Sequence, residues 1–88
     1  MLARAAIFKA LGHPARLAMV AALGSGEQCV CDLQQIVGSE MSTVSKHLTV
    51  LRHAGIVDAD KRGKQVFYTL RLRCAVEFLH CVDRALKE

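Results

Sequence analysis

A change of apolar period at Gly55 constrains this chain more than any other feature. Before it, Val44, Leu48 and Leu51 recur at i, i+4 and i+7, the spacing of one helix face. After it, Val66, Tyr68 and Leu70 alternate with Phe67, Thr69 and Arg71, the spacing of a strand with two unlike faces. A helix is therefore expected over residues 42–54, closed by Gly55. Two strands are expected over 56–59 and Gln65–Leu70. Asp60-Lys61-Arg62-Gly63-Lys64 would form the hairpin turn between them, with Gly63 supplying a positive φ.

The residues upstream are punctuated as helices. Leu2–Leu11 is short, Ala-rich and apolar, and Gly12-His13-Pro14 separates it from a second helix over 15–23. Pro14 suits a first helical position, and Gly24-Ser25-Gly26 ends the pattern. A third helix is expected over Val30–Val37, stopped by Gly38, and a last one over 74–87. That last helix is apolar on more than one side, through Val76, Phe78, Leu79, Val82 and Leu86. With 88 residues there is room for one domain, and 52% hydrophobic content exceeds what so small a core can bury. The first and last helices are therefore read as a surface that pairs two copies of the chain.

Charge is localised. Residues 42–73 hold seven Lys/Arg against two Asp/Glu, whereas the remainder holds five against six. The formal net charge of +4 thus belongs to one segment, the pattern of a face that meets phosphates. Within it, the 42–54 helix turns Ser42, Thr43, Ser45, Lys46, His47, Thr49 and Arg52 away from its apolar face. Short hydroxyls let a helix approach base edges, and Lys or His can donate to guanine or phosphate. Lys61, Arg62 and Lys64 at the hairpin are placed to neutralise phosphates. Two short helices, the second followed by a basic hairpin, outline a mainly α winged helix-turn-helix that binds double-stranded DNA. His13 and His53 are read as a cap and a surface residue.

Four cysteines remain. Cys29 sits where the third helix begins, in the slot of a Ser or Thr capping box whose partner would be Asp32. A thiol caps poorly. At a helix start, Cys29 and Cys31 are favoured as thiolates, which select soft metals and metalloids. In a regular helix i and i+2 point apart, so a Cys-x-Cys chelate needs an extended first residue. Cys74 and Cys81, seven apart on the last helix, are separated by roughly 10.5 Å along the axis and cannot share one ion there.

These segments together resemble the ArsR/SmtB group of metal-responsive winged-helix repressors. Leu11-Gly-His-Pro-Ala-Arg-Leu17, Cys29-Val-Cys-Asp-Leu33, Ser42-Thr-Val-Ser-Lys-His-Leu48 with Leu51, Ala54-Gly55 and Val57, and Gly63-Lys-Gln-Val-Phe-Tyr68 carry the resemblance over nearly the whole chain. It implies a homodimer built on the first and last helices. It also implies an inverted-repeat operator that is released when an inducer binds. The Cys-Val-Cys-Asp-Leu run is similar to the site of the arsenic-responsive members, which implies As(III) or Sb(III) as inducer. There, a third thiol follows three residues after the second, and this chain has Gln34 instead. Cys74 or Cys81 would have to supply it.

Two other inducers stay open. Cd(II), Pb(II) or Zn(II) would use the thiols with His80 and Asp83 nearby, although these two do not reproduce the fuller His/Asp pattern of the zinc sensors. A redox or persulfide sensor would pair a thiol near the third helix with one on the last. An enzyme has little to build on, with no phosphate-cradling glycine loop, no paired carboxylates and no Cys-x-x-Cys. A metal buffer would leave the basic hairpin unexplained. The absence of a charged stub followed by an apolar run, and of roughly 20 consecutive apolar residues, makes a cytoplasmic protein with no membrane partner the expectation.

Overall fold

The computed structural model describes residues 2–87. Helix α1 covers Leu2–Leu11 and α2 covers Pro14–Leu23. Strand β1, Gln28–Cys29, leads directly into α3, Val30–Val37, and α4 follows over Met41–His53. The hairpin of β2, Val57–Arg62, and β3, Gln65–Leu70, precedes α5, Ala75–Leu86. This is a winged helix-turn-helix, with α3 and α4 as the helix pair and β2–β3 as the wing.

Local chemistry accounts for the boundaries. His13, in extended conformation, accepts the Ala15 N–H on Nδ1 at 3.1 Å, and Pro14 takes the first helical position. The end of α4 is a complete Schellman motif. Gly55 has φ 86°, its N–H bonds the Arg52 carbonyl, and the Ile56 N–H bonds the Leu51 carbonyl, each at 3.0 Å. Met19, Val20, Leu33, Val44, Leu48, Leu51, Ile56 and Val57 form the centre of the core, with almost no exposure. Burial of each such side chain is worth about 1.5–3 kcal/mol. The apolar row of α4 thereby fixes which face of that helix turns outward.

The sheet differs from expectation in two ways. Strand β2 runs on through Arg62, which pairs with Gln65, so the turn is Gly63-Lys64 alone. Gly63 has φ 61° and, among the described residues, no non-glycine residue has a positive φ, the pattern of a type II′ turn. A five-residue turn would have left Asp60 to Arg62 without ladder partners. The third strand, β1, was not anticipated, because two residues are too few to show alternation. It pairs antiparallel with β3, giving the order β1-β3-β2 and the register Gln28↔Tyr68, Cys29↔Phe67. Helices α4 and α5 are offset from the expected 42–54 and 74–87 by a residue at their ends.

The C-terminal end of α2 packs on the start of α5 through Gly24. A Cβ there would lie 2.5 Å from Val76 Cγ2, although the helical φ of −61° suits any residue. Gly24→Ala should therefore lower stability by about 1–3 kcal/mol through overpacking, against alanine's better helix propensity. In a Val76→Ala background the same change should cost much less. Urea denaturation of the four chains of this cycle measures the coupling, and an equal loss in both backgrounds would refute the contact.

Candidate nucleic-acid interface and thiol site

With Val44, Leu48 and Leu51 buried, α4 exposes Ser42, Thr43, Ser45, Lys46 and Arg52. The first four lie in its N-terminal half, and no side chain caps that end, where Glu40 stands at the N-cap position. Thr49 is already engaged, since its Oγ1 donates to the Ser45 carbonyl at 2.9 Å. Arg52 and His53 sit in the last turn, where positive charge complements the helix dipole. Lys61 and Lys64 are exposed at the wing tip.

Two of the residues expected to face DNA also make contacts within the protomer. His47 is half-buried against α2, its Nδ1 accepting from Arg16 Nη1 at 3.3 Å, and its ring centroid lies 4.4 Å from that of His13. Arg16 Nε also donates to the Ala10 carbonyl. Because a guanidinium only donates, Nδ1 of His47 carries no proton. Burial first, then the charges of His13 and Arg16, push the His47 pKa below its ordinary value. His47 joins α4 to the start of α2; its sequence position, between Lys46 and Leu48, gave no sign of this.

Arg62 is the second such residue. Its Nη1 and Nη2 donate to Glu27 Oε1 and Oε2 at 2.8 and 2.6 Å, and its Nε donates to Asp60 Oδ2 at 2.9 Å. The guanidinium carbon lies 4.7 Å from the Phe67 ring centroid. Its hydrogen bonds to Glu27, then to Asp60, hold its proton more tightly than usual. Each guanidinium nitrogen thus shares a proton with a carboxylate, while the side chain stays half exposed. Opposite charges at Asp60 and Arg62, two apart on one strand, were the available hint; Glu27, 35 residues away, was not.

Cys29 does cap α3. Its backbone is extended, φ −80° and ψ 160°, and its Sγ accepts the Asp32 N–H at 3.4 Å. Among the described residues, no hydrogen bond returns from the Asp32 side chain, so only half of the capping box forms. The extended Cys29 followed by helical Cys31 supplies the non-helical first residue that a Cys-x-Cys chelate needs. Cys29 is half-buried; Cys31, Cys74 and Cys81 are exposed and all four thiols are free. Among the described residues no three His, Cys, Asp or Glu side chains converge to hold a metal. Helix α5 packs chiefly on α2, so neither Cys74 nor Cys81 completes a three-residue set with Cys29 and Cys31 in one protomer, and His80 and Asp83 join no such set.

Residues 13–59, the span from the α2 cap through the first residues of the wing, match the model of bacterial regulatory proteins of the arsR family. The chain belongs to that family. The biofilm growth-associated repressor of Agrobacterium fabrum is 44% identical over 66 residues, 75% of this chain and 56% of that one. A Staphylococcus aureus homolog of the cadmium resistance transcriptional regulatory protein CadC is 42% identical over 67 residues, 75% and 55% of the two chains. This arsR-family chain thus spans little more than half the length of those two relatives. The solution structure of a homodimeric winged helix-turn-helix DNA-binding domain from Mycobacterium bovis superposes with a TM-score of 0.83. It is 26% identical, covering 98% of this chain and 80% of that one. Among the described residues no single helix is long and apolar enough to cross a membrane.

The His47 site carries a pH dependence. A histidine whose pKa is lower folded than unfolded is stabilising above about 6.5, and that contribution fades as pH falls from there through the folded value. Wild type should therefore lose more thermal stability than His47→Gln between about pH 7.5 and 5. Parallel melting-temperature shifts in the two proteins would show that His47 does not titrate this way.

Proposed function

We propose that this chain is a dimeric transcriptional repressor that leaves an inverted-repeat operator when a thiophilic inducer, As(III) or Sb(III), binds Cys29 and Cys31. The observation that carries the reading is the pair of sulfurs at the start of α3. One of them is the cap of the helix that packs against α4. A ligand on the Cys29 Sγ lone pair competes with the Asp32 N–H. It therefore loosens the first turn of the helix that braces the DNA-reading helix. Ser42, Thr43, Ser45 and Lys46 read base edges, while Lys61, Lys64 and Arg52 neutralise phosphates.

The dimer rests on the outer faces of α1 and α5. Phe8 and Phe78 meet edge to face, with ring centroids 6.0 Å apart, yet remain 62% and 47% exposed. Leu86 is 78% exposed beside Val82. An apolar groove of about 480 Å³, lined by Ile7, Phe8, Leu11, Leu72, Ala75 and Phe78 among others, runs between the two helices. A second copy would remove this surface from water.

As(III) prefers three thiolates, so one more sulfur, Cys74 or Cys81, must come from the second copy. Tetrahedral Cd(II) lacks two ligands rather than one. The cadmium regulator among the relatives nonetheless favours Cd(II) as the second reading, with Pb(II) and Zn(II) in the same class.

Fluorescence anisotropy on promoter DNA, with arsenite, phenylarsine oxide, Cd(II) and a persulfide donor in parallel, tests this. Phenylarsine oxide has two exchangeable positions and needs only Cys29 and Cys31. It should release DNA from wild type and from Cys74→Ser/Cys81→Ser, whereas arsenite should fail on the latter. Both should fail on Cys29→Ser and Cys31→Ser. Release by Cd(II) or persulfide alone would replace the inducer. Lys61→Ala or Lys64→Ala should each make the dependence of log K on log salt shallower by about 0.9 for every phosphate left without its lysine.

A further inference from the structure

The sheet register places a second group of residues beside Cys29. In an antiparallel ladder, directly opposed side chains share a face, with Cβ atoms about 4.5–5.5 Å apart. Cys29 opposes Phe67, and Phe67 opposes Asp60, so these three form one row across the outer face of the sheet. Arg62, two residues beyond Asp60, lies on the same face. From β2 its side chain crosses over the Phe67 ring of β3 and grips Glu27, two residues before Cys29, with both carboxylate oxygens. One side chain thus reaches from the wing, over β3, to the residue that precedes β1.

We propose that Arg62 is a positioning residue, a strap that sets the wing according to the state of Cys29. The inference rests on the reading of Cys29 as a sensing thiol, but not on which inducer it takes. A group added at Sγ occupies the space beside Phe67, the ring on which the guanidinium lies, and displaces ring and guanidinium together. The wing, carrying Lys61 and Lys64, moves with them. The bridge between the wing and Glu27, just before β1, is partly exposed, with side chains 50% and 34% accessible, so it transmits a limited coupling, about two- to fivefold in DNA affinity. The strap therefore adds to the loosening of α3 and does not replace it.

A chain with Cys31→Ser, Cys74→Ser and Cys81→Ser leaves Cys29 as its single thiol, which iodoacetamide alkylates with loss of iodide. Amide NMR spectra and anisotropy on promoter DNA would be recorded before and after alkylation, with Glu27 intact and with Glu27→Gln. With Glu27 intact, alkylation should shift the Val30 and Asp32 amides of α3 and also the Lys61, Gly63 and Lys64 amides of the wing. With Glu27→Gln, the α3 shifts should persist, the wing shifts should shrink, and the alkylation-dependent loss of DNA affinity should be about two- to fivefold smaller. Wing shifts that ignore Glu27→Gln, wing amides that never move, or an affinity loss independent of Glu27 would each overturn the strap.

Arg62→Met provides an independent check, since the strap requires weaker DNA binding with an unchanged salt slope. A slope shallower by about 0.9 would make Arg62 an ordinary phosphate ligand and overturn the proposal. Alkylation involves no metal or metalloid. Failure of arsenite to release DNA would thus remove the proposed inducer without touching these outcomes.

Discussion

The register of β3 is the constraint on which the functional surface depends. As the central strand it pairs with the wing on one side and with Gln28–Cys29 on the other. Tyr68 and Leu70 face the core, with Val57 opposite Leu70 and buried with it. A slip of one residue would turn Leu70 to solvent and carry Phe67 inward. The same slip would end the opposition of Cys29 and Phe67. Burial of Leu70 and Val57 thus fixes the location of a thiol and a guanidinium that make no contribution to the core themselves.

The helix pair is held by a different balance. Helix α4 is anchored by three fully buried residues and finished by a Schellman motif, so its outward face is rigidly assigned. Helix α3 has eight residues, one fully buried side chain, Leu33, and a sulfur as its cap. A hydroxyl or carboxylate cap is worth about 1 kcal/mol, and sulfur is a weaker acceptor at a longer distance. The first turn of the element beside the thiols is therefore held by a weak cap and little burial. Loops and short elements that respond to ligands are drawn from this less stable end of a fold.

Much of this was legible in the sequence because it was local. The α4 row, the Gly55 closure, the His13 cap and the Cys29 cap each depend on residues close together in the chain. What escaped the sequence was long-range. The pairing of Cys29 with Phe67 joins segments 38 residues apart in a strand too short to alternate. His47 and Arg62 carry side chains that suit a DNA face, and their spacing favoured that reading. Arg16 and Glu27, 31 and 35 residues upstream, are bonded to them in the fold. A basic residue's charge can be read from sequence, but whether a carboxylate already neutralises it depends on the fold.

The incomplete thiol set bears on how DNA release can work. One protomer brings two sulfurs to the α3 site and, among the described residues, no third side chain able to join them, so a three-sulfur ligand must draw on a second copy. A ligand shared between copies stabilises the dimer by its own binding free energy. On the proposed reading, release would then not proceed by dissociation into monomers, because a bridging inducer would favour the assembled form. It would arise within an intact dimer, by a change in how each protomer presents α4 and the wing to the operator. The two elements that touch Cys29, the first turn of α3 and the face of β3, lead to those two structures. Helix α3 braces α4, and Phe67 supports the side chain that ties down the wing. On the proposed reading, a ligand at one sulfur would thereby act on both α4 and the wing without separating the subunits.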